Sequence, residues 1–156
     1  MANVEFVLDT NVPAATVLAA ATDFSDRRPT FWPTIRPGIY RVHALGDDWA
    51  EVTEGSAFLG TIWARERYDW STPGTVRATV LDSNVFRAGG TWELTADEAE
   101  GGTQVRIRSR RQARGLRGRI LGAILTVAGK GMLAANLEQT LRLLADDRGI
   151  VGAPAR

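Results

Sequence analysis

The order of two periodicities constrains this chain most. Residues 3 to 111 are dominated by period-two alternation interrupted by turn signals, whereas residues 116 to 147 follow one helical pattern. At the start, Val4, Phe6 and Leu8 alternate with Glu5 and Asp9, which predicts a half-buried strand over 3–10. Asn11 is placed to cap a helix with an early Pro13 that continues from Ala14 to Thr22. Ser25 is placed to cap a second, short helix, and Pro29, Pro33 and Pro37 stop anything longer.

From Ile39 the signals are hairpins. Tyr40–Leu45 and Trp49–Ser56 flank Gly46-Asp47-Asp48, and residues 60–70 form a longer strand. On that strand Ile62, Ala64, Tyr68 and Trp70 share one face, and Glu66 falls on the same face. Pairing Trp70 with Val76 across the turn at Pro73-Gly74 sets Asp69 opposite Arg77. A last hairpin, Gly90–Ala96 with Thr103–Arg111, is expected to register Trp92 with Ile107, Leu94 with Val105 and Glu93 with Arg106. The helix then runs from Leu116 to Gly149, and residues 150–156 are expected to be a flexible tail. One strand, two short helices, six more antiparallel strands and a long helix leave few architectures open, all of them α+β. At 156 residues the chain is one domain, assigned to 1–149.

Composition excludes several kinds of chemistry. There is no cysteine and a single histidine, His43, so thiolate metal sites, Ser-His-Asp sets and multi-histidine metal sites have no material. No phosphate-cradling glycine loop is present. No metal and no cofactor are expected. The N-terminus lacks the basic and apolar regions of a secretory signal, so a cytoplasmic location is the expectation.

Three groups of residues resemble the START-like, or helix-grip, superfamily, in particular its bacterial polyketide cyclase/dehydrase and lipid transport group. They are Pro13-Ala14-Ala15-Thr16-Val17 leading to Thr22-Asp23-Phe24, then Phe31-Trp32-Pro33, then Trp92-Glu93-Leu94 followed by Gly101-Gly102-Thr103-Gln104-Val105. The resemblance implies a seven-stranded curved sheet gripping the last helix, with a hydrophobic ligand held between them. It does not choose among binders, carriers and cyclases, because one fold hosts many functions.

Within that frame Glu66 is the unusual residue, since its alternation turns a carboxylate inward. A buried carboxylate is costly unless paired, so Glu66 is a candidate polar anchor or general acid/base. The structural alternative is a Glu at the mouth of the cavity, partnered by an Arg or by Tyr40. Arg111 shares the inward parity of Val105, Ile107 and Ser109 and could grip an anionic head group; the alternative is a solvated residue past the strand end. Asp82 is inward on paper beside Val80 but is placed at a strand end, and His43 is expected to face out. Phe31, Trp32, Tyr40, Tyr68, Trp70 and Trp92, with Ile124 and Ala128 of the helix, complete the expected ligand-lining set. Aromatics in a small domain equally serve as plain core.

The near-neutral total charge of +1 hides an asymmetry: residues 1–100 carry −7 and residues 101–156 carry +8. Basic residues from Arg106 to Arg119 precede the apolar run Ile120–Gly129, which suits peripheral contact with an anionic membrane. Ended by Lys130, the run is expected to be too short to cross a bilayer. Charge pairing with the acidic first part of the chain is the alternative. Nucleic-acid binding is not expected, because the stretch lacks interleaved aromatics. Gly118, Gly122, Gly129 and Ala135 would allow close helix contacts in an oligomer. The leading expectation is a protein that binds a hydrophobic small molecule or lipid between the sheet and residues 120–144. A cyclase- or dehydratase-type enzyme and a membrane-associated accessory protein are the alternatives.

Overall fold

Alternation in the first strand, β1 (Ala2–Thr10), buries Val4 and Phe6 and exposes Glu5. The computed structural model describes residues 2–58 and 60–151, with side chains of the last helix described through Asp147. Helices α1 (Ala14–Ala21) and α2 (Arg28–Phe31) follow, and then six strands: β2 (Arg41–Leu45), β3 (Trp49–Ser56), β4 (Ile62–Asp69), β5 (Thr75–Ser83), β6 (Thr91–Ala99) and β7 (Gly102–Arg111). Helix α3 (Gly115–Val151) is the last described element. The order β1-β7-β6-β5-β4-β3-β2 is antiparallel throughout and sets the first strand beside the last. The architecture is a helix-grip α+β fold. Of the expected tail, residues 150 and 151 belong to α3, and 152–156 lie outside the described residues.

Two details of the sheet depart from the alternation argument. Asp69 does face Arg77, but β6 and β7 are registered two residues away from expectation: Trp92 pairs with Ser109, Glu93 with Arg108 and Leu94 with Ile107. The turn decides this. The strands continue to Ala99 and Gly102 and close through Glu100-Gly101 alone, with Gly101 at φ +82, a conformation that suits glycine. A slip of two preserves every side chain's face, so the hydrophobic pattern cannot distinguish the registers. In β5 a bulge between the Arg65 and Glu66 pairings turns Asp82 outward, where it pairs with Arg114, and brings Ser83 inward.

The helix caps also differ. Pro13 precedes α1 and Arg27 precedes α2, neither end carrying a side-chain cap; Ser25 instead accepts the Arg27 N–H at 3.3 Å.

The apolar segment of α3 does not end at Lys130. One lone cation is outweighed over a helical stretch with a mean hydropathy of 1.6, so by length and composition α3 could cross a membrane, although 17% of that stretch is buried in the fold. Its row against the sheet runs through Leu121, Leu125 and Gly129. Leu121 and Leu125 pack on Val80, Val85 and Phe86, and Gly129 lies over Leu125 and Val4. Farther on, Leu137, Leu141 and Leu144 join the main core with Val17, Leu94 and Val105.

Candidate functional site

Strand β4 carries the site because its inner row mixes apolar and polar residues. Ala64, Glu66 and Tyr68 are all buried, and Glu66 is only 4% exposed. The neighbouring strand β3 has the same parity, burying Ala50 and Val52 and then turning Glu54 inward toward Tyr68. Two ion pairs occupy this inner surface. Arg111, at the end of β7, donates from Nη2 to Glu66 Oε1 at 2.7 Å, and its guanidinium lies over the Phe86 ring at 4.9 Å. Arg28, the first residue of α2, is 3% exposed and pairs with Glu54.

Arg28 is held by Nε, by Nη1 and by its flat face, Nε donating to Glu54. Nη1 donates to the Ala21 carbonyl at 3.0 Å and the Asp23 carbonyl at 3.3 Å, while the guanidinium lies 4.3 Å from the Phe24 ring centre and 5.1 Å from that of Tyr68. Tyr68 donates its hydroxyl to Glu54 Oε2 at 2.9 Å. A phenol thus stands between two guanidinium–carboxylate pairs whose formal charges cancel. Among the described residues no buried side-chain polar atom lacks a partner, as burial of so many polar groups demands.

These surroundings move the acids and bases. Burial pushes the Glu66 carboxyl up and the charge on Glu54 adds to that, whereas Arg111 pulls it down. Burial and the neighbouring carboxylates hold the Tyr68 phenol well above its ordinary value. Burial disfavours the charged form of Arg28, but Glu54 outweighs it and holds the guanidinium protonated.

Around the pairs lies an aromatic cluster. Phe24 meets Tyr68 edge-on at 5.0 Å and stacks on Trp70 at 5.6 Å; Trp32 meets Trp92 edge-on at 6.4 Å. Trp32 Nε1 donates to the Ala20 carbonyl at 3.1 Å. Trp32, Trp70 and Trp92 are only half-buried. Phe31, also half-buried, sits under Arg27.

The expected residues therefore divide. Glu66, Tyr68, Arg111 and the three tryptophans come together on the inner face. Glu66 is partnered by Arg111 and not by Tyr40, whose hydroxyl donates to the Phe24 carbonyl at 2.8 Å and is pushed up to about 12 by burial. Arg111 is still within β7 and turned inward, so the solvated alternative does not hold. Ile124 is half-buried and Ala128 exposed, off the sheet-facing row of α3. His43 is exposed and contacts Thr53. Arg28 and Glu54 were not anticipated; Glu54 was readable from its parity with Ala50 and Val52, whereas nothing local marks Arg28. Two open depressions, of about 210 and 340 Å3, lie elsewhere, lined by residues such as Asp9, Asn11 and Gly102 or Leu8, Leu141 and Ala145.

A family model described as polyketide cyclase/dehydrase and lipid transport matches residues 1–146. No curated protein matches in sequence. Among solved structures, the Zhui aromatase/cyclase of Streptomyces sp. R1128 superposes with a TM-score of 0.72 at 14% identity, covering 97% of this chain and 96% of that one. A START superfamily protein from Mycobacterium smegmatis gives 0.71 at 13% identity, covering 91% and 98%. A protein of Thermus thermophilus gives 0.71 at 15%, covering 97% and 99%. At these identities the likeness is one of fold.

Proposed function

The chain belongs to the polyketide cyclase/dehydrase and lipid transport family, and from that premise we propose that it binds a hydrophobic small molecule or lipid between the sheet and α3. One observation carries the reading. Trp92 faces inward and stays half-buried, although Ala78 and Ser109, its neighbours on either side in the sheet, are buried. A large aromatic that keeps accessible surface beside buried neighbours suits a wall for a guest. The Glu66–Arg111 pair would then orient the guest's polar end.

Native mass spectrometry of the freshly purified protein, with solvent extraction of whatever accompanies it, tests the proposal. A stoichiometric apolar compound is expected, and Glu66→Gln should weaken its retention. Protein that carries nothing and takes up no apolar probe would end the reading.

The acidity of the pair favours a second, catalytic use of the same residues. A carboxyl raised by burial, with Arg111 in contact and Tyr68 beside it, suits proton transfer to or from a hydrophobic ketone-bearing substrate. Incubation with a linear poly-β-ketone and mass analysis for loss of water would detect it. Turnover abolished by Glu66→Gln with binding retained is the catalytic signature.

A further inference from the structure

Helix α3 turns its Gly118, Leu121, Leu125 and Gly129 row toward the rest of the fold, and its opposite face is also apolar. There Leu116 is 76% exposed, Ile120 50% and Val127 90%, with Ala123 and Gly131 exposed beside them. At about 100° per residue these five fall within an arc of roughly 80°. Exposed apolar stripes of this kind mark contact surfaces, because each such side chain is held in water at a cost.

The charges around the stripe identify its partner. On the same helical projection Arg117 lies along one margin and Arg119 and Lys130 along the other, and between Glu100 and Glu138 the sequence holds eight basic residues and no acidic one. Much of the remaining positive charge is already neutralised: Arg106 and Arg108 share Glu5, Arg111 holds Glu66, and Arg114 holds Asp82. Arg119 and Lys130 make no ion pair among the described residues. Arg117 reaches the Thr61 carbonyl at 3.2 Å, which draws the β3–β4 connection, with its exposed Phe58, alongside the start of α3.

We propose that this face of α3, from Leu116 to Gly131, docks the protein onto an anionic lipid bilayer. Leu116, Ile120 and Val127 enter the acyl boundary, and Arg119 and Lys130 meet the phosphates above them. The contact thus moves from the strand and helix-start arginines, which are mostly paired, to the outer face of the helix. Since α3 is packed along its opposite row, it lies in the interface plane instead of crossing it.

Flotation with phosphatidylcholine vesicles, and with vesicles containing one-third phosphatidylglycerol, tests this at low and moderate salt. Binding is expected only to the anionic vesicles and should weaken as salt rises. Removing Arg119 and Lys130 should lower partitioning about fivefold for each charge. The variant Ile120→Asp/Val127→Asp should not bind at all, with an unchanged far-UV circular dichroism spectrum. Wild-type protein that fails to float, or aspartate variants that float as well as wild type, would overturn the proposal. So would protein that resists extraction by salt and alkali, which would make α3 a spanning helix, or a dimer in sedimentation velocity that the aspartates dissolve.

Discussion

Arg111 donates a 2.7 Å hydrogen bond to Glu66 from the end of β7 to the middle of β4, across the inner face of two intervening strands. The pair is unequal: the carboxylate side chain is 6% exposed and the guanidinium side chain 18%. Removing the cation strands a charge with nowhere to go, while removing the anion leaves a long side chain that can turn toward water.

Arg111→Met should therefore lower the unfolding free energy by about 3 kcal/mol at neutral pH, and Glu66→Gln by only about 1 kcal/mol, because the amide still accepts the hydrogen bond. The double variant should cost less than the two singles together. Urea unfolding of all four proteins gives the coupling, and strictly additive losses would show that the pair contributes nothing as a pair.

Acidification should act on the same variant with a definite sign. Burial raises Glu66 above the ordinary carboxylate value of 4.5, so the folded state keeps a proton that the unfolded state has lost. Such a group contributes stability that is complete below the unfolded pKa and is lost as pH rises through the folded one. Arg111→Met removes the influence that pulls Glu66 down and extends that window upward. The melting-temperature deficit of Arg111→Met should shrink between about pH 7 and pH 5. A deficit that is constant or grows would mean that Glu66 is not the group stranded.

Arg28 makes a different demand, because Nε donates to Glu54 and Nη1 to the carbonyls of Ala21 and Asp23 while its flat face meets Phe24. A lysine ammonium cannot satisfy that arrangement. Arg28→Lys should cost about 2 kcal/mol, and Tyr68→Phe, which removes a single hydrogen bond to Glu54, about 1 kcal/mol. Thermal unfolding should rank them in that order.

Alternation made the inner row of β4 legible from Ile62 to Trp70, the misfit of Glu66 included, and the parity of β7 placed Arg111 beside it. What parity could not supply was distance along the strand: the β6–β7 register depended on a two-residue turn at Glu100-Gly101, and the direction of Asp82 depended on a bulge. Arg28 was invisible because its partners come from α1 and β3 and its own four-residue helix has no readable face. The orientation of α3 was hidden for the opposite reason. A helix apolar nearly all round offers no preferred side, so Ile124 and Ala128 looked as suitable as Leu121 and Leu125.

Two glycines of α3 offer a matched comparison of packing against backbone propensity. A Cβ on Gly118 would collide with the Val85 carbonyl, the same oxygen that accepts the Arg114 N–H at 2.7 Å, whereas a Cβ on Gly131 meets nothing within 4 Å. In both places alanine favours the helix by up to about 1 kcal/mol. At Gly118 the forced separation of α3 from the Val85 segment opposes this by about 1–3 kcal/mol and disturbs a hydrogen bond as well, so packing wins. Gly118→Ala should lower the urea midpoint and Gly131→Ala raise it, with unfolding slopes unchanged. If both variants were stabilised, α3 would not approach Val85 as closely as the contact through Gly118 requires, and the seat of the helix on that end of the sheet would have to be redrawn.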